Sequence, residues 1–240
     1  MLRRAVIISN PKKQAAKDIA KQVKRFLSTF NILITNNLPQ LVVTVGGDGT
    51  VLFAKKYYGV PFFSIGSKTS FICQATFSDW KQKLLRVLKG FRKEPRILLE
   101  AKIGKKQFPP ALNEVGVRST KPQLLSFQLF VGKKKYAFRA DGILFSTPTG
   151  SPAYCYSCGG KQMPKESNSY QAVAICPFRR TFKPIILSPS SKCKLHLSGN
   201  PKAHFFVDGK IMGSLSQGQI LEVKVSNRLF FFAQPNKSRK

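Results

Sequence analysis

The chain has 240 residues, 42% of them hydrophobic, and its 41 Lys and Arg against 10 Asp and Glu give a formal net charge of +31. This length allows one large domain or two smaller ones with a well-buried core, and no apolar stretch approaches the roughly 18 residues of a membrane span. The short apolar segment near the start does not predict a signal peptide, so a cytoplasmic location without a membrane partner is expected.

The N-terminal part of the chain alternates between strand and helix patterns. Short runs rich in Val, Ile and Leu are typical of buried parallel strands, and apolar residues at helical spacing follow each of them. The predicted strands are Arg4–Ser9, Leu41–Val45 and Pro61–Ile65, and the predicted helices are Gln14–Phe30, Thr50–Tyr58 and Ser78–Gly90. This alternation predicts an open α/β sheet.

After about Arg92 the pattern changes to short strands separated by proline-containing turns, which predicts a β-sandwich-like second domain. The predicted strands are Arg96–Ile103, Ala111–Arg118, Gln123–Val131, Lys135–Asp141, Ile143–Ser146, Ala172–Ile175, Ile185–Leu187, Lys194–Ser198, Ala203–Val207 and Ile220–Ser226, with one short helix at Ala153–Ser157. We therefore predict an α/β domain over residues 1–95, to which residues 227–240 return through a strand at Leu229–Ala233, and a β-rich domain over residues 96–226.

The run Gly46-Gly47-Asp48-Gly49-Thr50 directly follows the predicted strand Leu41–Val45. Glycines there let the backbone turn tightly and approach a ligand, and exposed N–H groups beside a helix start can bind phosphate. The Asp48 carboxylate is out of place in a simple phosphate cradle and indicates a base for a hydroxyl, or a partner for a phosphate-bound metal. The alternative is a glycine turn in which Asp48 or Thr50 caps a helix.

A second polar segment runs from Asp141-Gly142 through Thr147-Pro148-Thr149-Gly150 to Tyr154. Ser, Thr and Gly at a helix start can bind an anion or a polar ligand through N–H and hydroxyl groups, although an N-capped helix would look similar. Acidic residues are scarce, and four of them lie beside Gly or Asn in turn-like contexts, which makes them the first candidates for function. They are Asp48, Glu114, Asp141 and Asp208.

The cysteines and the basic charge predict no further specific site. Cys155 and Cys158 form a single C-x-x-C without a second pair, which is more typical of two buried small residues on one helix face than of zinc ligands. The lysines are spread along the chain and no nucleic-acid-binding motif occurs, so we expect a solvated surface with at most loose RNA affinity and no specific nucleic-acid partner.

These motifs, with Asn113-Glu114 between them, closely resemble those of the NAD kinase family. That family has Gly-Gly-Asp-Gly-Thr, an Asn-Glu pair, and Asp-Gly…Thr-Pro-Thr-Gly-Ser-Thr-Ala-Tyr followed by Ser-x-Gly-Gly, which here is Ser157-Cys158-Gly159-Gly160. Asp208-Gly209 is similar to the family's late Asp-Gly strand end. The resemblance implies a phosphotransferase that uses ATP or polyphosphate, with Mg²⁺ or another divalent cation, to phosphorylate the adenosine 2′-hydroxyl of NAD. It also implies a homodimer or homotetramer.

The resemblance further implies a role for each matching residue. Asp48 would be the general base on the 2′-hydroxyl, and the donor's phosphates would lie against Gly46, Gly47, Gly49 and Thr50. The residues implied in NAD binding are Phe71, Asn113, Glu114, Asp141, Thr149, Ala153, Tyr154, Ser157 and Asp208. No side chain is implied as a metal ligand.

The chain departs from the family pattern at several positions. The segment from Ser64 to Phe71 is one residue shorter and has lost most of its glycines, Pro152 replaces a Thr, Lys161 a Pro, and Lys183 an Arg. Two alternatives therefore stay open. One is a lipid kinase of the diacylglycerol or sphingosine type, which shares Gly-Gly-Asp-Gly-Thr, and the other is a catalytically silent nucleotide- or RNA-binding relative.

Overall fold

The structure, a computed structural model, describes residues 2–199 and 202–236. The chain forms two compact units. Unit 1 takes in the chain up to Pro95 and again from Phe230, and unit 2 is Arg96–Leu229. Residues 237–240 of the predicted C-terminal return lie outside the described residues.

The described residues form strands, four α-helices and one 3-10 helix, numbered in chain order. The strands are β1 (Arg4–Ser9), β2 (Leu33–Ile34), β3 (Leu41–Val45), β4 (Phe62–Gly66), β5 (Ala75–Thr76), β6 (Phe91–Ile103), β7 (Lys106–Gln107), β8 (Glu114–Ser119), β9 (Leu125–Val131), β10 (Lys134–Ser146), β11 (Tyr170–Pro177), β12 (Ile185–Leu187), β13 (Lys192–Ser198), β14 (Ala203–Val207), β15 (Lys210–Leu215) and β16 (Ile220–Pro235). The helices are α1 (Gln14–Ser28), α2 (Asp48–Ala54), α3 (Trp80–Leu88) and α4 (Tyr154–Ser157), with the 3-10 helix at Phe178–Arg180.

Unit 1 is a parallel sheet with helices packed on it. Strand β1 lies between β2 and β3, β3 pairs with β4, and β4 continues to β5 and to the end of β16, all in parallel. Every residue of β3 and β4 is buried, as expected of central strands in a parallel sheet. Apolar residues of α1, such as Val23 and Leu27, and Leu84 of α3 complete the core.

Unit 2 is built almost entirely from antiparallel strands. The strand order is β15-β14-β8-β10-β9-β13-β16, with β11 also paired to β10 and β12 paired to β11. Large side chains from several strands, including Phe127, Phe145, Tyr170 and Phe205, fill one apolar core. In this order β8 lies between β14 and β10, so the ends of all three strands meet at the start of β8.

An α/β N-terminal part followed by a β-rich part agrees with the fold class predicted from the sequence. Two interruptions between predicted strands are absent from the structure. The predicted breaks at Gly142 and at residues 227–228 lie within the continuous strands Lys134–Ser146 and Ile220–Pro235. Gly142, which reads as a turn residue, lies inside β10, where a Cβ would overlap the carbonyl oxygen of Val117 on β8. It is therefore a site of close strand approach and not a turn.

The remaining differences concern short elements and element ends. Helix α2 begins at Asp48, two residues earlier than predicted, and ends at Ala54 instead of Tyr58. The two-residue strands β2, β5 and β7 carry too little pattern to be recognised from sequence alone. Strand β15 was also missed, because its pattern is interrupted by Gly213, whose φ is 155°.

Candidate functional site

The glycine turn after β3 has a backbone that only glycine adopts readily. Gly46 and Gly47 have φ angles of 146° and 124°, which are unfavourable for any residue with a Cβ. A Cβ on Gly46 would also lie 2.6 Å from the Cβ of Asn10 and 2.7 Å from the hydroxyl oxygen of Thr50. Glycine at position 46 is thus required by the turn itself, and the turn brings the ammonium group of Lys13 to 3.5 Å from the Gly46 carbonyl oxygen.

Asp48 is the first residue of α2, and its carboxylate is held by the segment that follows β4. The N–H of Phe71 donates to Oδ2 at 2.9 Å, and the N–H of Ile72 donates to Oδ1 at 3.1 Å. Burial, and then the nearby Asp48 carboxylate, raise the pKa of the Cys73 thiol to about 12. Cys73 therefore stays protonated at neutral pH as a donor beside Asp48.

The shortened segment between Ser64 and Phe71 thus folds back onto Asp48. Ser70 and Cys73 pack against Gly66, where a Cβ would overlap the Ser70 hydroxyl oxygen and approach the Cys73 sulfur. Phe71 is 51% exposed while its N–H is bound to Asp48. An aromatic face is therefore free for stacking next to the carboxylate.

Asn113 and Glu114 lie at the start of β8 in unit 2, and both are buried, at 7% and 5% exposure. The side-chain oxygen of Asn113 has no hydrogen-bond partner among the described residues. A buried amide oxygen without a partner costs about 1–3 kcal/mol. Such a cost is expected where a ligand supplies the missing donor.

The Asp208 carboxylate binds the backbone of this same segment. It accepts hydrogen bonds from the N–H groups of Leu112 at 3.0 Å, Asn113 at 2.7 Å and Glu114 at 3.4 Å. Asp208 was predicted as an NAD contact, and in the structure its carboxylate accepts from the backbone N–H groups of Leu112, Asn113 and Glu114.

The Glu114 carboxyl has an unusual ionisation. Burial raises the pKa of Glu114 from an ordinary 4.5 to about 7, the neighbouring Asp208 carboxylate adds to the rise, and the N–H of Gly209 opposes it. A carboxyl that titrates near neutrality can change between hydrogen-bond donor and acceptor around the working pH.

The turn after β10 packs directly on Asn113. The N–H of Thr147 donates to the Asn113 carbonyl oxygen at 2.9 Å, and the Thr147 hydroxyl donates to the Leu112 carbonyl oxygen. The N–H of Gly150 donates to the Thr147 hydroxyl at 3.1 Å. Gly150 lies so close to Asn113 that a Cβ would overlap its carbonyl group. Sequence reasoning missed Thr147, although its position in the Thr-Pro-Thr-Gly run pointed to this turn.

Two predicted residues of unit 2 line one cavity. A cavity of about 620 Å³ has Asp141 and Tyr154 in its wall, together with the basic side chains of Arg118, Lys121 and His204. Burial raises the pKa of Tyr154, so its hydroxyl is a neutral donor and acceptor. The cavity combines one carboxylate with the cationic groups of Arg118 and Lys121, which suits a ligand that carries both signs of charge.

The other predicted residues of unit 2 lie along the same stretch of chain. Thr149 is buried in the turn, Ala153 immediately precedes α4, and Ser157 is the exposed last residue of α4. All five cysteines are free thiols. Cys155 is buried but Cys158 is only partly so, which corrects the expectation of two buried residues on one helix face.

The predicted residues thus form two groups, each inside one unit. In unit 1 the glycine turn, Asp48 and Phe71 lie together, and in unit 2 Asn113, Glu114 and Asp208 are joined by hydrogen bonds. Ile72 and Thr147 are among the contacts that the sequence did not indicate. Within residues 2–199 and 202–236, no cluster of three or more His, Cys, Asp or Glu side chains could hold a metal ion. Nor is any described helix long and apolar enough to cross a membrane.

Comparison with known proteins gives consistent matches over most of the chain. Residues 106–234 match the family model described as the ATP-NAD kinase C-terminal domain. An NAD kinase from Methanosarcina barkeri is 31% identical over 193 residues, which covers 78% of this chain and 70% of that protein. An NAD kinase from Fusobacterium nucleatum is 32% identical over 244 residues, covering 96% of this chain and 91% of that protein.

Solved structures show the same fold at lower identity. A yeast NADH kinase complexed with NADH superposes with a TM-score of 0.85 at 20% identity, covering 99% of this chain and 84% of that chain. An NAD kinase from Archaeoglobus fulgidus in complex with ATP gives a TM-score of 0.83 at 22% identity, covering 98% of this chain and 94% of that chain. These likenesses confirm the predicted fold class.

Proposed function

The chain belongs to the NAD kinase family and is a phosphotransferase, and we propose that it transfers the γ-phosphoryl group of ATP to the adenosine 2′-hydroxyl of NAD to give NADP. The observation that carries the proposal for the site is the buried Asn113, whose side-chain oxygen lacks a donor among the described residues while its backbone is fixed on both sides. The lipid-kinase alternative is not favoured, because the relatives reported above are named NAD kinases.

Asp48 is the proposed general base. A neutral hydroxyl is a poor nucleophile, and a carboxylate that takes its proton as the oxygen attacks the γ-phosphorus lowers the barrier while ADP leaves. The N–H groups of Phe71 and Ile72 fix the plane of this carboxylate and still leave it a lone pair for the hydroxyl. Gly46, Gly47, Gly49 and Thr50 would lie against the phosphates of the donor.

The residues of unit 2 are proposed to bind NAD. Asn113 would use its unpaired oxygen to accept from the adenine or its ribose, and ionised Glu114 would accept from a hydroxyl. Asp141, Thr149, Ala153, Tyr154 and Ser157 would line the rest of the pocket in unit 2. In unit 1, the exposed Phe71 would stack on an adenine. In this assignment unit 1 is the ATP-binding domain and unit 2 the NAD-binding domain.

A divalent cation, Mg²⁺ or a similar ion, fits this arrangement if it is bound by the phosphates of the phosphoryl donor, ATP. No cluster of acidic or imidazole side chains in the described residues could hold such an ion alone. Mg²⁺ is commonly bound by phosphate oxygens, water and one or two carboxylates, so the nucleotide would carry it. Bound in this way, it would neutralise charge on the phosphates. Polyphosphate offers the same ligands and is the alternative donor.

We further propose a cytoplasmic homodimer or homotetramer. The family resemblance supports the assembly, and the absence of a membrane-spanning helix among the described residues is compatible with the location. Light scattering at several protein concentrations measures the assembly directly, and a monomer throughout would contradict it.

The activity is tested with purified protein, NAD, ATP and Mg²⁺ by following NADP formation. Asp48→Asn is expected to lower kcat by a factor on the order of a hundred or more, because the general base is lost. Asp18→Asn, which alters an exposed carboxylate on α1, is the matched control and should retain full activity. A wild-type protein that makes no NADP with either ATP or polyphosphate would refute the proposal.

The role of Asn113 is tested separately by Asn113→Ala. Loss of a hydrogen bond to a buried group predicts a rise of about tenfold in KM for NAD. Unfolding by denaturant should change little, since the lost oxygen has no protein partner among the described residues. An unchanged KM would show that Asn113 does not contact NAD.

A further inference from the structure

Asp208 has a backbone conformation that is costly for an acidic residue. It directly follows the last residue of β14, and its φ is 49°, in the left-handed region. Residues with a Cβ pay about 1 kcal/mol or more for that conformation, although Asp and Asn tolerate it better than most. Glycine would avoid the cost, so an acid at this position indicates that the carboxylate makes interactions that glycine could not.

The Asp208 carboxylate accepts hydrogen bonds from the backbone of one short segment. The N–H groups of three consecutive residues, Leu112, Asn113 and Glu114, converge on Oδ1 of Asp208, and the N–H of Leu112 also reaches Oδ2 at 3.2 Å. Hydrogen bonds to an ionised carboxylate are about twice as strong as those between neutral groups. The carboxylate therefore fixes three peptide planes at once.

Asp208 and Gly209 also donate hydrogen bonds to the segment from Leu112 to Glu114, through their own backbone N–H groups. The N–H of Asp208 donates to the Glu114 carbonyl oxygen at 2.9 Å, and the N–H of Gly209 donates to the Glu114 side chain. On the other side of the segment, Thr147 binds the carbonyl oxygens of Leu112 and Asn113. The N–H groups are thus held by Asp208 and the carbonyl groups by Thr147.

We infer that Asp208 is a positioning residue, which holds the backbone from Leu112 to Glu114 in the conformation that presents the Asn113 and Glu114 side chains to NAD. The inference rests on the proposed function for the identity of the ligand. Asp208 acts through its two neighbours, so the NAD contact first predicted for it is not needed to explain an acid there.

The test compares Asp208→Gly and Asp208→Asn with the wild type. Glycine removes the carboxylate but favours the left-handed backbone, so Asp208→Gly should fold while losing the three N–H bonds. Asn31→Gly is the matched control, because Asn31 also has a left-handed φ of 55° but belongs to unit 1, whereas the segment from Leu112 to Glu114 belongs to unit 2. Thermal unfolding of each variant verifies that it is folded.

Amide hydrogen exchange reads the positioning role without any ligand. Exchange in a peptide spanning residues 109–118 should accelerate about tenfold or more in Asp208→Gly, since each lost bond opens the backbone to solvent. Peptides from unit 1 should exchange as in the wild type, and Asn31→Gly should leave the 109–118 peptide unchanged. In NADP formation, KM for NAD should rise about tenfold while KM for ATP changes less than about twofold.

The pH profile reports whether the Asp208 carboxylate acts on Glu114. Glu114 is faced by two titratable groups, Asp208 and Cys155, and by the N–H of Gly209. If ionised Glu114 accepts a hydroxyl, wild-type kcat/KM for NAD rises with pH through a midpoint near 7. Asp208→Asn removes the neighbouring negative charge, and this midpoint should move to lower pH.

Unchanged exchange in residues 109–118 of Asp208→Gly would overturn the inference whether or not the enzyme is active. Accelerated exchange with an unchanged KM for NAD in an active enzyme would also overturn it, since positioning would then have no effect on the substrate. A wild-type protein that forms no NADP would instead refute the proposed function, and the exchange result would still decide whether Asp208 fixes the segment.

Discussion

At the scale of single residues, the two groups of functional candidates differ in how they are held. Asp48 is fixed by two backbone N–H groups from a segment more than twenty residues away, whereas Asn113 is fixed through its own backbone and keeps its side-chain oxygen free of partners among the described residues. The first arrangement suits a group that must present a lone pair, and the second suits a group that must accept a donor from a ligand.

Glu114 makes stability depend on pH in a direction opposite to that of a paired surface carboxylate. The pKa of Glu114 is about 7 in the folded protein and an ordinary 4.5 in the unfolded chain, so the folded state binds the proton more tightly. The free energy of unfolding should therefore fall as pH rises from about 4.5 to 7 and stay low above that. The expected loss from this group is about 3 kcal/mol.

Urea unfolding of Glu114→Gln at pH 5 and pH 8 measures this contribution. The free energy of unfolding should fall between pH 5 and pH 8 in the wild type. This fall should be smaller in Glu114→Gln by up to about 3 kcal/mol. Glu166→Gln, at an exposed position, serves as the control and should follow the wild type. Equal pH dependence in wild type and Glu114→Gln would show that the carboxyl is not buried as described.

The candidate residues of the site were named from the sequence, but the contacts between them could not be predicted from it. Asp48, Asn113 and Glu114 were proposed from motif and spacing, since those side chains stand in a recognisable order. Ile72 takes part through its backbone N–H, and no pattern of side chains encodes such a bond. Thr147 was passed over because its hydroxyl binds a backbone carbonyl group that only the folded chain brings near.

At the scale of secondary structure, glycine occurs both in turns and at points of close strand approach, and the sequence does not distinguish the two. Gly46 and Gly47 were interpreted as a turn, and their φ angles agree. Gly142 was interpreted in the same way, yet it lies in the middle of a strand that is paired on both sides, with β8 and β11. The difference depends on the neighbouring strand, so it becomes visible only with the tertiary structure.

Gly142→Ala is therefore expected to destabilise the protein by about 2 kcal/mol, because the new methyl group overlaps a backbone carbonyl that cannot rotate away. Gly59→Ala is the matched control, since a Cβ there meets no atom within 4 Å and its backbone is not left-handed. That control should be neutral or stabilising by about 0.5 kcal/mol. Denaturant unfolding measures both, and equal stability of the two variants would contradict close packing at β10.

At the scale of the whole molecule, the charge is the most unusual property. The ten acidic residues cannot balance 41 basic ones. Among the described residues, the ion pairs Lys83–Asp79 at 2.8 Å and Lys102–Glu222 at 3.3 Å lie at the surface. Exposed pairs of this kind contribute little to stability. The net field instead acts at a distance, where it attracts anionic ligands.

This field predicts RNA binding that depends strongly on salt. If the affinity comes from phosphate contacts alone, raising salt from about 50 to about 200 mM should weaken it by a factor on the order of a thousand. Fluorescence anisotropy with a labelled single-stranded RNA measures the effect. Binding that persists at the higher salt would favour a dedicated RNA-binding function over a diffuse basic surface.

Strand β16 has a consequence for the time at which unit 1 can be completed. Phe232 pairs with Phe62, Ala233 lies in the unit 1 core, and its carbonyl oxygen accepts from Gln74 at 2.7 Å. On the ribosome, residues 1–95 emerge well before this strand, and the whole of unit 2 is made in between. Until then the edge of β4 at Phe62 has no partner from β16, so nascent unit 1 carries an open strand edge of the kind that chaperones cover and aggregates exploit.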